Sequence, residues 1–234
     1  MTGTLDILIR RAQLRDRPGR LVDIGIASGR ITAIEENIAL EAQTKIDARG
    51  NLVTESFVNP HLHLCKVYTL HMMDEEALKD YHGADMGKAM TAIELAARVK
   101  ERYDEAWIVE NVRKAIASAA LFGTTHIRAF ADVDTKARLE GVKALIRVRE
   151  EFKTIVDIQV VAFPQDGVVR EPGATDLVRQ AMDLGADVVG GIPWIEYTDA
   201  AAQQHIDEMF KIAKEYDKPI SMLVDDAGDP GLRT

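Results

Sequence analysis

The chain has 234 residues, 47% hydrophobic and 29% charged, with a net charge of −9, so it is long and apolar enough to bury a sizeable core and is not a disordered polyampholyte. No basic stripe stands out, which excludes the usual phosphate-backbone binder, and no apolar run approaches the roughly 20 residues that span a bilayer. A single cysteine, Cys65, forbids an intrachain disulfide and fits a reducing cytoplasm, and Met1-Thr2-Gly3-Thr4 lacks a signal-peptide pattern.

Residues 1–55 read as short strands and turns: Leu5 to Ala12, Leu21 to Ala27, a Ser28-Gly29 hairpin into Arg30 to Glu35, and Lys45-Ile46-Asp47 before the turn Ala48-Arg49-Gly50-Asn51. This is a small β-lobe, and so short a sheet needs help to bury one face. From Leu52 the pattern changes. Val53 to Leu64 reads as a strand carrying His61 and His63. Lys66 to Lys88 is polar and Met-rich, long for a plain connection, and could serve as a lid. Helical spacing runs from about Ala89 to Arg102 and again from Glu105 to Phe122, where Gly123 stops it.

After Gly123 the units become regular. Strands are expected at Thr124–Phe130, Ile155–Phe163, Ala186–Trp194 and Pro219–Val224. Helices alternate with them: one capped by Asp134 and running to Phe152, then Ala174–Leu184 and Thr198–Tyr216. Apolar strands alternating with such helices indicate parallel βαβ units. Counted from His61 there are five strands, whereas a closed barrel needs eight. The expected fold class is therefore α/β: a partial N-terminal lobe over residues 1–55, and over 56–234 the first five or so units of a TIM-type barrel rather than an open sheet.

In such barrels the chemistry sits at the C-terminal strand ends. That rule selects His61 and His63, then Arg128, Asp132 and Asp134, then Gln165 and Asp166, then Trp194 and Glu196, and finally Asp225 and Asp226. Two histidines two apart on a strand point to one face and can grip one metal ion. With carboxylates and an amide nearby, the set suggests metal-assisted hydrolysis. Bland alternatives stand beside each. Asp134 reads first as a helix cap, Arg128 and Asp132 could pair with each other, Cys65 reads as a small packed residue, and His71, His82 and His205 as surface or lid residues. Trp194 could be core or could wall a planar ring. Gln165 has no evident packing task, which favours ligand contact.

Phe57-Val58-Asn59-Pro60-His61-Leu62-His63-Leu64 resembles the first barrel strand of the amidohydrolase superfamily. His126-Ile127-Arg128 with Asp132-Val133, Asp157 to Gln165, and Leu184 to Pro193 resemble its cytosine deaminase-like branch, which also holds isocytosine-type deaminases and N-isopropylammelide amidohydrolases. The resemblance implies a β-sandwich lobe plus a (β/α)8 barrel, and one divalent metal, zinc or iron, held in part by His61 and His63. It implies Gln165 holding the ring, a small heterocyclic substrate, and an acid on the fifth strand moving the proton, here Asp226, one methylene shorter than the family's Glu. It also exposes a departure: Leu223 stands where the fifth-strand ligand His should be. Asp187 to Glu196 has no lysine, which argues against a lysine-bridged metal pair. The expected activity is deamination of an amino-substituted pyrimidine-like ring. An N-substituted aminotriazine amidohydrolase, or an inactive relative serving as a binding subunit, is the alternative, and the 234 residues alone are expected to show little activity. Barrels of this family often assemble as homo-oligomers.

Overall fold

A computed structural model describes residues 4–72 and 98–225. The expected helix from Ala89, the Met-rich lid with His82, and Asp226 therefore lie wholly or mostly outside the described residues. The chain divides into two compact units, Met1–Ser56 and Phe57–Thr234.

In the first unit, β1 (Leu5–Gln13), β2 (Leu21–Ala27), β3 (Arg30–Glu35) and β4 (Ala42–Asp47) form one sheet in the order β3-β2-β1-β4. β1 runs antiparallel to β2 and parallel to β4, so the sheet is mixed. A second sheet, which would make a sandwich, is not found among the described residues. Asp23 ties the sheet to the loop beyond it: its carboxylate accepts from the Arg10 guanidinium at 2.6 Å and from the Arg11 and Ile38 amides, each at 3.1 Å.

The second unit is a parallel sheet in strict chain order, β5 (Phe57–Leu62), β6 (Thr124–Asp132), β7 (Asp157–Phe163), β8 (Val188–Gly191) and β9 (Ile220–Met222). Helices α1 (Glu105–Leu121), α2 (Glu140–Phe152), α3 (Ala174–Asp183) and α4 (Asp199–Glu215) connect these strands in turn. Because parallel crossovers share one hand, sequential strand order puts every helix on the same face. The period-2 alternation of the strands records this. Ile127, Ala129 and Ala131 of β6, Ile158, Val160 and Ala162 of β7, and Val189 of β8 pack with the helices. Phe130, Val161, Phe163, Val188 and Ile192 make a separate cluster on the opposite, inner face.

Local signals explain the element limits. Asp104 accepts from the Ala106 amide and caps α1, and Gly123, at φ +83, lets the chain turn out of it. Thr198 caps α4 by accepting from Ala201. Two expectations shift. Asp134 caps a turn, accepting from the Lys136 and Ala137 amides, and α2 begins only at Glu140. The fourth barrel strand is four residues long, because Pro193 has no N–H to continue a ladder and starts a 3-10 turn over Pro193–Ile195. Gly190 is needed where it stands: a Cβ there would lie 2.6 Å from the Ala162 carbonyl oxygen and 2.9 Å from Phe163 Cα.

Candidate functional site

The first strand end is shaped by a bulge. Asn59 pairs with Ile127 and Leu62 with Ala129, so Pro60 and His61 together stand opposite Arg128. Pro60 has no N–H to give, and the His61 amide donates to Asn59 Oδ1 at 3.2 Å instead of to the ladder. The two imidazoles end with ring centroids 5.0 Å apart. His61 stacks on Phe130 at 4.2 Å, and His63 meets the Phe163 ring edge-on at 5.4 Å. The inner-face aromatics are thus the floor beneath both histidines.

Behind His63 lies a buried ionic cluster. Asp132, fully buried at the end of β6, has Oδ1 3.8 Å from His63 Nδ1 and Oδ2 3.0 Å from Lys66 Nζ. The Tyr103 hydroxyl donates to the same Oδ2 at 3.1 Å, and the Asp132 amide donates to Cys65 Sγ at 3.3 Å. Lys100, only 2% exposed, reaches Asp134 Oδ2 at 2.9 Å and Asp166 Oδ1 at 2.6 Å. Burial alone would raise the Asp132 carboxyl, but the Lys66 and Lys100 charges outweigh it and hold the group ionised, far below the usual carboxylate range. Burial pulls the His63 imidazole below its ordinary value, aided by Lys66, so it is neutral at neutral pH, the form a metal ligand needs. Burial and the Asp132 charge push the Cys65 thiol up to about 12, which makes it unreactive.

Gln165 follows β7 on its loop, where its Oε1 accepts from Lys66 Nζ. Trp194 sits on the turn after β8, packed against the cluster of Phe130, Phe163 and Ile192. Leu223 packs on that same cluster from the end of β9. His61, His63, Gln165, Trp194 and Leu223 therefore share the inner face or its rim, and Asp226 lies just beyond the described residues. Among the described residues, three buried side-chain atoms have no hydrogen-bond partner: His63 Nδ1, Asp132 Oδ1 and Trp194 Nε1. Two of the three face each other, His63 Nδ1 and Asp132 Oδ1 at 3.8 Å, which leaves the Trp194 indole N–H as the buried donor that a ligand acceptor could satisfy.

Other candidates resolve into structure. Arg128 donates to Gln159 Oε1 at 2.6 Å rather than pairing with Asp132. Glu196 takes hydrogen bonds from the Val168, Val169 and Arg170 amides at 2.7, 3.1 and 2.9 Å, and from His205 Nδ1 at 2.8 Å. His205 is fully buried, not on the surface. Its Nε2 accepts from the Ile192 amide at 3.1 Å, so the neutral ring carries its proton on Nδ1. Burial would raise Glu196, but His205 and the three amides bring it down to about 2. This pair braces the loop that follows Gln165 against the turn that carries Trp194. The spacing His205, Met209, Ile212 places the histidine on the apolar face of α4, a signal present in the sequence. Lys66, Lys100 and Tyr103 had no comparable local signal.

The donor set suits a divalent metal in part. Two imidazoles on one face, one of them backed on its Nδ1 side by the Asp132 carboxylate, are what zinc or iron takes. Leu223 contributes only hydrocarbon, and no group of three metal-ligating side chains forms among the described residues.

Comparison with known proteins fits this geometry. The amidohydrolase family model matches residues 44–234. The N-isopropylammelide isopropyl amidohydrolase of Pseudomonas sp. (strain ADP) is 33% identical over 99% of this chain and 56% of that protein. The 5-methylcytosine deaminase of Klebsiella pneumoniae superimposes with a TM-score of 0.81 at 28% identity, over 97% of this chain and 53% of that one. The N-isopropylammelide isopropylaminohydrolase of Burkholderia multivorans ATCC 17616 gives 0.63 at 25% identity, over 97% and 55%. The chain spans about half the length of these relatives. With the family model matched over most of the chain, and the paired histidines at the end of the first strand of a parallel sheet, the chain belongs to the amidohydrolase family, in its cytosine deaminase-like branch.

Proposed function

We propose that the protein is a metal-dependent hydrolase that releases ammonia from an amino-substituted pyrimidine-like ring of the cytosine or isocytosine type. In this reading residues 1–55 belong to a β-sandwich lobe and residues 56–234 supply the first five or so units of a (β/α)8 barrel. The observation that carries it is the His61–His63 pair on the inner face, with the Asp132 carboxylate 3.8 Å behind His63 Nδ1. His61 and His63 would hold one divalent zinc or iron, which when bound lowers the pKa of a water and polarises the ring carbon. Gln165 holds the ring in plane and Trp194 walls it. Asp226 takes a proton from the attacking water and returns it towards the leaving amine. The setting is a cytoplasmic small-molecule enzyme, working as a homo-oligomer, with no nucleic-acid or membrane partner.

Two observations favour second readings. Likeness to N-isopropylammelide hydrolases points to an N-substituted aminotriazine as substrate. Leu223 on the inner-face cluster points to a relative that binds without turnover. The experiment is to express the full-length protein, measure bound metal, and assay cytosine, 5-methylcytosine, isocytosine and N-isopropylammelide. About one equivalent of zinc or iron with ammonia from a pyrimidine supports the first reading. Isopropylamine release selects the triazine reading. Metal-free protein with no amine released from any ring removes the catalytic one.

A further inference from the structure

Lys66 and Gln165 meet at the strand ends although 99 residues separate them. An ammonium group offers donors only, so the amide can face Lys66 solely through its oxygen, as it does. The ammonium is itself anchored, 3.0 Å from the Oδ2 of Asp132, and that carboxylate is fully buried and held by the Tyr103 hydroxyl at 3.1 Å. An unanchored glutamine can turn its amide over and offer either edge to a ligand. This one is held by its oxygen, and the NH2 end is the end turned away from the cation. A second donor stands at the same rim. Trp194 Nε1 is buried without a partner among the described residues, and its side chain packs against the inner-face cluster to which Phe130 and Phe163, the rings beneath the histidines, belong. An indole N–H can only donate.

We propose that Lys66 is a specificity-determining residue: by holding Gln165 through its oxygen, it makes the site read a heterocycle through an oxo oxygen rather than through an amino group. The proposal rests on the reading of Gln165 as the ring-holding residue. A ring that presents an amino group there sets donor against donor. It loses a hydrogen bond and leaves a polar group unpaired, a mismatch that discriminates by about tenfold or more.

Two small rings of similar size test it: 2-hydroxypyrimidine, whose oxo form presents a carbonyl oxygen at C2 beside one ring N–H, and 2-aminopyrimidine, which presents an amino group at C2 between two unprotonated ring nitrogens. Their affinities for the metal-loaded full-length protein are measured by titration calorimetry. The oxo ring is expected to bind about tenfold tighter. Lys66→Met lets the amide turn and brings the ratio to within about threefold. Gln165→Leu does the same while leaving Lys66 and Asp132 in place, and so decides the matter if Lys66→Met does not fold. Combining the two changes lowers the ratio no further, because both act through one amide. An unchanged ratio in a folded Lys66→Met protein overturns the proposal, as does tighter binding of the amino ring by the wild type. If the wild type binds neither ring, it is the assignment of Gln165 to the ring that falls, and the selectivity argument falls with it.

Discussion

Glu196→Gln tests the brace beneath the site. In the folded protein the carboxylate accepts from three backbone amides and from His205, and its pKa is brought from 4.5 to about 2. A depressed acid stabilises the fold above its unfolded pKa, and that stability is lost as the pH falls through the folded value. A shift of this size corresponds to about 3 kcal/mol at neutral pH. The carboxamide that replaces the acid in the variant cannot ionise, and its NH2 would face donors. The variant should therefore be less stable than the wild type by about 2–3 kcal/mol at pH 7. The gap should shrink by about 2 kcal/mol at pH 3, where the wild-type carboxylate has lost most of its linkage advantage. Urea unfolding followed by tryptophan fluorescence suits the measurement, because Trp107 and Trp194 both lie in the second unit. A gap of the same size at pH 7 and pH 3 would refute the reasoning, since it would mean that ionisation of Glu196 plays no part in holding the loop.

Asp132→Asn should be the costlier change, by about 3–5 kcal/mol in urea unfolding, because it leaves Lys66 and Lys100 facing less negative charge in a buried setting. Cys65 should resist iodoacetamide in the native protein and label only on unfolding, which peptide mapping reads directly; fast native labelling would contradict its burial against Tyr103 and Asp132. Gly190→Ala should lower the melting temperature by several degrees, because the new methyl meets the Ala162 carbonyl backbone of the neighbouring strand and not a movable side chain.

Much of the barrel unit was legible because its periods are clean. The alternation in β6 and β7 and the helical spacing of α1 and α4 placed those elements within a few residues. The His61–His63 pair was legible for the same reason, although the bulge at Pro60–His61 was not, since a bulge is a property of two strands and one was read at a time. The misplaced start of α2 came from a real capping residue that caps a turn instead. What no local pattern announced was the ionic cluster: Lys66, Lys100, Asp132 and Asp166 come from separate segments and are brought together only by the topology. His205 is buried rather than exposed because it lies on the apolar stripe of its helix with Met209 and Ile212, and position there outweighs the polarity of the side chain.

The Glu196–His205 pair also constrains how this lineage can change. Losing the glutamate first strands three amides and an imidazole donor; losing the histidine first strands the Ile192 amide and leaves a buried carboxylate without its strongest side-chain partner. Either single step descends into a valley of stability, and only the double replacement by well-packed apolar groups climbs out. The two positions should therefore drift as a couple, substituted together or not at all, even among descendants whose ring preference has diverged.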